Sequence, residues 1–301
     1  MNKQFYFGIV LLSLLVLISL FGPIFAPYAP DFAESIRVVE TEGGGTNYIF
    51  SPQPPDAVHP FGTDRWGYDL LTLMLYGAKY SIFIVILIAF FRIIIGAAIG
   101  FVLGFPKKSK SVADKFKVLN AMPVFIIVYF ITIGFTINPE VSMGVVIFWQ
   151  VFFIVLFGLP PIITSTQERI IYYRKQEFVV AAEAAGAGDL RILFHILPHI
   201  VENLVTLFVN EFIRVLNLIG QLGIFHVFIG GTILTTAPPL FHSMSHEWAG
   251  LIGMARNSLF SNQWVLAFPL IGYFILLISF ILIARGVELH FRKKYGRPKH
   301  L

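Results

Sequence analysis

The chain has 301 residues, of which 56% are hydrophobic, 16% aromatic and only 13% charged, and its mean hydropathy is +0.78. This composition predicts a membrane protein, because a soluble domain of this length could not hide several separate apolar runs of about 20 residues. The net charge of +5 is better explained by basic loops beside a membrane than by nucleic-acid binding, and the absence of cysteine excludes disulfides, thiol catalysis and thiolate metal sites.

Apolar runs, cut at proline, glycine and charge clusters, predict an all-α membrane protein with six transmembrane helices. The first run follows a basic start, as a secretory signal does, but it is long for a signal peptide and further runs follow it. We therefore expect a retained first helix. The predicted spans are 5–26, 80–104, 119–138, 144–165, 200–230 and 265–289.

The charges of the loops predict the orientation of the chain, because short cytoplasmic segments retain lysine and arginine. The loop 106–117 holds five lysines against one aspartate, and the C-terminal tail is equally basic. The stretch 27–79 carries seven acidic residues against three basic ones. Both termini are therefore expected in the cytoplasm and 27–79 outside. Proline and glycine predict irregular structure in this outer stretch, which ends in a short interfacial helix from Trp66.

A segment that contains a run of small residues and a proline, EFVVAAEAAGAGDLRILFHILPHI, interrupts the apolar runs between Glu177 and Ile200. It lies in the predicted cytoplasmic loop 166–199. Residues 176–185 are rich in helix formers, and four of them are alanines. So little side-chain bulk would let another protein approach the backbone closely. A docking element and a flexible, solvated loop both fit this composition.

Two glycines divide this segment. Gly186 and Gly188 tolerate the backbone conformation that ends a helix, and Asp189 is placed to cap a second short helix. Pro198 is expected to end that second helix and to start the fifth span.

Three motifs carry a resemblance to a known family. In the interrupting segment Ala181, Ala182, Gly186 and the Ile-Leu-Pro that ends at Pro198 resemble the signature loop of ABC-importer permeases. HPFGTDRWGYDLLTLMLYGAKYSI, from His59, and EWAGLIGMARNSLFSNQWVLAFP, from Glu247, are similar to the dipeptide, oligopeptide and nickel branch of that family. Three motifs in this order are a specific signal.

The chain departs from the family pattern in three places. Val180 stands where the family has glutamate, and Tyr68 stands where arginine is usual. The step from Gly186 to Pro198 is also one residue shorter than in the family.

The resemblance implies a C-type permease with a type I importer bundle in a prokaryotic cell membrane. Such a subunit forms a translocation path with a second permease subunit, and works with two ATP-hydrolysing subunits and an extracytoplasmic substrate-binding protein. Residues 1–78 would be the first transmembrane helix with its extracytoplasmic loop, and 79–301 a core five-helix domain that contains the coupling loop 166–199. The implied cargo is a dipeptide or oligopeptide, with nickel or a metal chelate as the alternative.

The resemblance also assigns residues to ATPase coupling. In the family this loop places a short helix in a groove on the ATPase and transmits its closure. The positions implied in coupling are Glu177, Val180, Ala181, Ala182, Gly186, Asp189 and Pro198.

Sequence motifs for chemistry give little support to an enzyme. No G-x-x-x-x-G-K-[ST] phosphate loop occurs in the sequence, so ATP hydrolysis is assigned to another chain, and we expect no catalytic residue, cofactor or nucleic acid. HSMSHE offers His242 and His246 at helical spacing, with Glu247 beside them, as a conceivable metal site in an intramembrane metalloenzyme. A self-sufficient carrier or channel stays open as well, but it leaves the interrupting segment unexplained.

Polar residues inside the predicted spans are candidates for the translocation path, because a charge in a bilayer is costly and faces a cavity or a partner. Arg92 lies near the middle of the second span, where substrate handling and an ion pair are alternatives. In the fifth span Glu211 and Arg214 could neutralise one another. A face with the spacing i, i+4, i+7 and i+11 predicts a path lining or a polar seam against another helix. That face comprises Asn210, Arg214, Asn217 and Gln221.

Overall fold

The computed structural model describes residues 2–40, 46–106, 109–116, 121–236 and 239–294. These residues form a bundle of α-helices with two short antiparallel hairpins at one end. The elements in chain order are α1 (Lys3–Phe25), β1 (Ile36–Glu40), β2 (Thr46–Phe50), α2 (Leu70–Gly104), α3 (Val124–Thr136), α4 (Met143–Arg174), α5 (Glu177–Ala184), α6 (Asp189–Ile224), β3 (Thr232–Leu234), β4 (Phe241–Ser243), α7 (Trp248–Ala255) and α8 (Gln263–Lys294).

Five of the six predicted transmembrane helices are present at membrane-spanning length. Among the described residues, α1, α2, α4, α6 and α8 are long and apolar enough to cross a membrane. The remaining predicted span corresponds to α3, a shorter apolar helix of 13 residues. It begins after Pro123 and ends just before Asn138, whose φ of 46° does not continue a helix.

Several predicted helix boundaries are wrong, among them the end of the fourth span, since α4 runs to Arg174, and the end of the fifth, since α6 ends at Ile224. Two further errors have clear causes. The expected interfacial helix is the first part of α2, which runs without a break from Leu70 because Asp69 caps it and accepts from the Thr72 backbone N–H at 2.8 Å. Pro198 does not end a helix, because α6 continues through it from Asp189 to Ile224. Ile196 and Ile200, on either side of the proline, are each 1% exposed. This packing outweighs the lost backbone hydrogen bond, which costs about 3 kcal/mol.

The close contact between α2 and α4 depends on small residues. Gly96, Gly100 and Gly104 recur every four residues on the face of α2 that meets α4. A β-carbon on any of the three would lie 2.7 to 3.0 Å from atoms of α4. In lipid, where apolar surface is not driven together by water, such close backbone packing supplies much of the association between helices.

The two hairpins and α7 lie at one end of the bundle, which we call the hairpin end. The expectation of irregular structure in the stretch 27–79 is wrong in part, because β1 and β2 pair from Ile36 with Phe50 to Glu40 with Thr46. Beyond the hairpin, His59 is fully buried and contacts Asp69 at 3.0 Å and Glu34 at 3.2 Å. These contacts fix the stretch to the capped start of α2.

Candidate functional site

The helix α5 lies at the opposite end of the bundle from the hairpins and has apolar residues on both its buried and its exposed sides. It is attached through Val179, which is fully buried. Phe178, Val180 and Ala181 are exposed, and Phe178 and Val180 have 43% and 54% of their surface accessible. Val179 anchors the helix in an apolar cluster whose other buried members are Ile170, Tyr173, Ile192, Ile196 and Ile200.

Gly186 ends α5 as the sequence predicts. Its φ is +84°, and its N–H donates to the carbonyl of Glu183 at 2.9 Å, while the N–H of Ala187 donates to the carbonyl of Ala182 at 2.9 Å. This pair of bonds is a Schellman motif, in which glycine is favoured because it adopts positive φ without strain. A β-carbon at Gly186 would have no neighbour within 4 Å among the described atoms.

One arginine ties α5 to three other elements. Arg174, the last residue of α4, donates to Glu183 at 2.9 Å and contacts Asp189 at 3.4 Å. It also donates to the carbonyl of Phe105 and stacks over the Phe105 ring at 4.6 Å. The arginine side chain is only 8% exposed, so this clamp joins the ends of α2 and α4 to α5 and to the start of α6.

The predicted coupling residues share the exposed surface of this region. Six of the seven are exposed and Ala182 is half-buried. Gly188, and not Asp189, occupies the N-cap position of α6. The sequence interpretation missed Arg174, Glu183 and Val179. The signal that could have found the anchor is the spacing of Val179, Ile192, Ile196 and Ile200, but the clamp joins residues whose proximity depends on the tertiary fold.

Arg92, Glu211 and Arg214 form a charge cluster in which Arg92 and Glu211 are buried in the bundle and Arg214 is exposed. Arg92 donates to Glu211 at 3.0 Å and, through its two other nitrogens, to the carbonyl of Ile154 at 3.1 and 2.6 Å. Glu211 accepts from Arg214 through its second carboxylate oxygen, at 2.9 Å. Of the roles considered for Arg92, the geometry shows the ion pair within the bundle.

The cluster borders an open cleft of about 360 Å³, on which Arg214, Asn217 and Gln221 are exposed, and which we call the bundle cavity. Arg92, Arg214, Asn217 and Gln221 line it together with Glu211. The fifth predicted path residue, Asn210, does not line the cavity, and its side chain donates to the Thr206 carbonyl of its own helix at 2.8 Å. The predicted polar face of α6 is therefore a wall of the bundle cavity over three of its four positions.

Two family models match the chain. One describes an inner membrane component of binding-protein-dependent transport systems and matches residues 92–296. The chain belongs to this family. The other describes the N-terminal transmembrane domain of oligopeptide transport permease C and matches residues 1–55. The protein is thus a multi-pass membrane protein and a permease subunit of an ABC import system.

Several curated proteins resemble this permease along most of its length. A Brucella abortus protein with a provisional name as a peptide transport system permease is 28% identical over 95% of this chain and 86% of its own. The dipeptide transport system permease protein DppC of Alkalihalophilus pseudofirmus is 24% identical over 95% and 84%. The di/tripeptide transport system permease protein DppC of Pseudomonas aeruginosa is 24% identical over 95% and 87%.

The histidines of HSMSHE do not lie on one face of a helix. Their predicted helical spacing is wrong, because His242 lies in β4 and His246 in a turn with φ of 54°. Their rings are 5.2 Å apart and edge-on, and burial lowers the pKa of each to about 4, so both are uncharged at neutral pH. The described part of the chain contains no group of three or more histidine, cysteine or carboxylate side chains that could hold a metal ion.

Proposed function

We propose that this permease is one of two transmembrane subunits of an ATP-driven importer of dipeptides or oligopeptides. The relatives described above are named for peptide, dipeptide and di/tripeptide transport. These names favour peptides over nickel or a metal chelate as the cargo. The remaining subunits are a second permease, two ATPases and an extracytoplasmic binding protein. The permease itself performs no covalent chemistry.

The observation that carries this proposal is that α5 is attached to the bundle on one side and exposed on the other. Val179 and the Arg174 clamp attach it, and its opposite face is uncovered. An exposed apolar face that is rigidly attached fits a docking element for a protein partner better than a flexible loop. The coupling role therefore falls to Glu177, Val180, Ala181, Ala182, Gly186, Asp189 and Pro198.

The charges and the site placement support one orientation. We assign the α5 end of the bundle to the cytoplasm and the hairpin end to the extracytoplasmic side of a prokaryotic inner membrane. Residues 1–78 then form the first helix with its external stretch, and 79–301 form the core that contains the coupling loop 166–199. The path follows the polar wall of the bundle cavity.

The proposal is tested by purifying the permease from its native membrane and identifying the co-purifying chains by mass spectrometry. We expect a second permease and ATPases with phosphate loops. The variant Gly186→Trp should retain the second permease and lose the ATPases, because the indole would project from the docking face. Transport of peptides by the reconstituted complex then tests the cargo against nickel and its chelates.

The control variant is Gly186→Asn, because asparagine tolerates positive φ and adds little bulk. It should retain both the ATPases and transport. A permease that purifies alone, or a Gly186→Trp complex that keeps its ATPases and its ATP-driven uptake, would contradict the proposed coupling role.

A further inference from the structure

The bundle cavity carries an excess positive charge on Arg214, which the transport role alone does not explain. We infer that the Arg214 guanidinium binds a carboxylate of the cargo, namely the C-terminal carboxylate of a peptide, as the cargo crosses the bundle. This inference rests on the proposed function and names the chemical group that the cavity recognises.

The charge of the cluster calls for an anion. Arg92, Glu211 and Arg214 together carry two positive charges and one negative charge, since each arginine pairs with a different oxygen of the same carboxylate. None of the other described residues that line the cavity is acidic. An uncompensated positive charge at membrane depth is costly, so an anionic group entering the cavity would be stabilised there.

Arg214 is the member of the cluster that is free to bind. Its side chain is 54% exposed, whereas the side chains of Arg92 and Glu211 are 4% and 2% exposed. All three guanidinium nitrogens of Arg92 are used, on Glu211 and on Ile154. Arg214 donates to Glu211 through one nitrogen. Its other N–H groups form a planar fork of donors directed away from that contact. Glu211 thus fixes Arg214 without fully neutralising it.

The rest of the cavity wall suits a peptide backbone. Asn217 and Gln221 follow Arg214 on the same face and line the same cavity. Their side-chain amides can both donate to a peptide carbonyl and accept from a peptide N–H. Their four-residue spacing is about 6 Å along the helix, which is close to the length of two extended peptide residues, about 6.6 Å. A carboxylate on Arg214 would place the preceding peptide groups beside these amides.

Other sources of a carboxylate or phosphate fit less well. Arg214 lies about 15 Å along α6 from its end at Ile224, and Arg92 about 18 Å along α2 from its end at Gly104. A lipid headgroup would have to enter the hydrocarbon region to reach the cluster. A carboxylate from the second permease is the alternative that the experiment must separate from the cargo.

The experiment measures uptake into proteoliposomes by the complete importer with its binding protein. The substrates are an alanine tripeptide with a free carboxylate, the same peptide as its C-terminal amide, and the N-acetyl peptide, which is blocked at the other end. Each is compared in the wild type, Arg214→Gln and Arg214→Lys. Since the binding protein is the same in all three, its own preference cancels when the acid-to-amide ratios are compared.

We expect the acid-to-amide ratio of uptake to be about tenfold higher in the wild type than in Arg214→Gln, as the loss of a charge-assisted bond to a carboxylate would give. The fall in Arg214→Gln should come from slower uptake of the free acid and of the N-acetyl peptide. Arg214→Lys keeps the charge and should keep most of the preference.

Three results would count against us, and each has a separate meaning. An unchanged acid-to-amide ratio in Arg214→Gln would overturn the inference and leave the proposed function standing. Loss of the second permease from purified Arg214→Gln would overturn it by assigning the guanidinium to a contact between subunits. A wild-type complex that hydrolyses ATP but imports none of the three peptides would overturn the peptide cargo itself.

Discussion

At the scale of single residues, Arg92 reaches its partners only because Gly158 leaves space. The guanidinium crosses α4 at this glycine, and a β-carbon there would overlap it. Arg92 and Glu211 are nearly inaccessible to solvent, so water could not solvate either charge if its partner were removed. Removing one partner of such a pair costs about 3 to 5 kcal/mol, because the other charge stays buried and uncompensated.

Gly158→Ala therefore tests the cluster without touching a charged residue. Displacement of Arg92 should lower the free energy of unfolding by about 3 kcal/mol, and the thermal midpoint of the purified permease in detergent should fall by at least about 5 °C. Gly144→Ala is a matched control in the same helix, since a β-carbon there meets no described atom within 4 Å. The control should change stability by no more than about 0.5 kcal/mol. Equal midpoints for the two variants would contradict the steric role of Gly158.

At the scale of secondary-structure elements, the Arg174 clamp joins α5 to the ends of α2 and α4 and to the start of α6. We expect it to make α5 move with these helices. The substitution Arg174→Gln should remove the ion pairs with Glu183 and Asp189 and the contacts with Phe105. A hydrogen bond to a charged group is worth about 1.5 to 3 kcal/mol, so a loosened α5 would follow ATPase closure without moving α4 and α6. We expect the ATPases to stay bound while the peptide imported per ATP hydrolysed falls by roughly tenfold.

Lys175→Gln supplies the control for that measurement. Lys175 directly follows Arg174, carries the same charge and is exposed, and among the described residues it forms no salt bridge. Its substitution should leave the coupling ratio within about twofold. If both variants import the same amount of peptide per ATP as the wild type, the clamp is not part of the transmission.

The elements also show where sequence reasoning succeeds. Apolar run length predicted the membrane helices, and Gly186 predicted the end of α5, because both are local properties. The continuation of α6 through Pro198 was missed, since it depends on burial of isoleucines against α4 and α5. The pairing of Arg92 with Glu211 spans 119 positions, and its geometry depends on how three helices are rotated about their axes. The sequence identified Arg92 and Glu211 as candidate residues but could not predict that they pair.

At the scale of the whole molecule, the same two helices reach both candidate sites. α4 presents Gly158 to the charge cluster and ends in Arg174, about 24 Å further along its axis. α6 begins at Asp189, which contacts the clamp, and carries Glu211 and Arg214 into the bundle cavity. A displacement of α5 can therefore reach the bundle cavity through two continuous helices, as a lever mechanism requires.

This mechanism requires the α5 end to face the ATPases in the cytoplasm, which single-cysteine labelling can test. The chain has no cysteine, so each introduced thiol is unique. Tyr48→Cys lies on an exposed position of β2 at the hairpin end, and Lys110→Cys on an exposed position of the basic loop after α2. In right-side-out vesicles a membrane-impermeant maleimide should label the first at once and the second only after permeabilisation. The basic loops predict this orientation. The reverse pattern would place α5 on the wrong side of the membrane for an ATPase and exclude it as the coupling element.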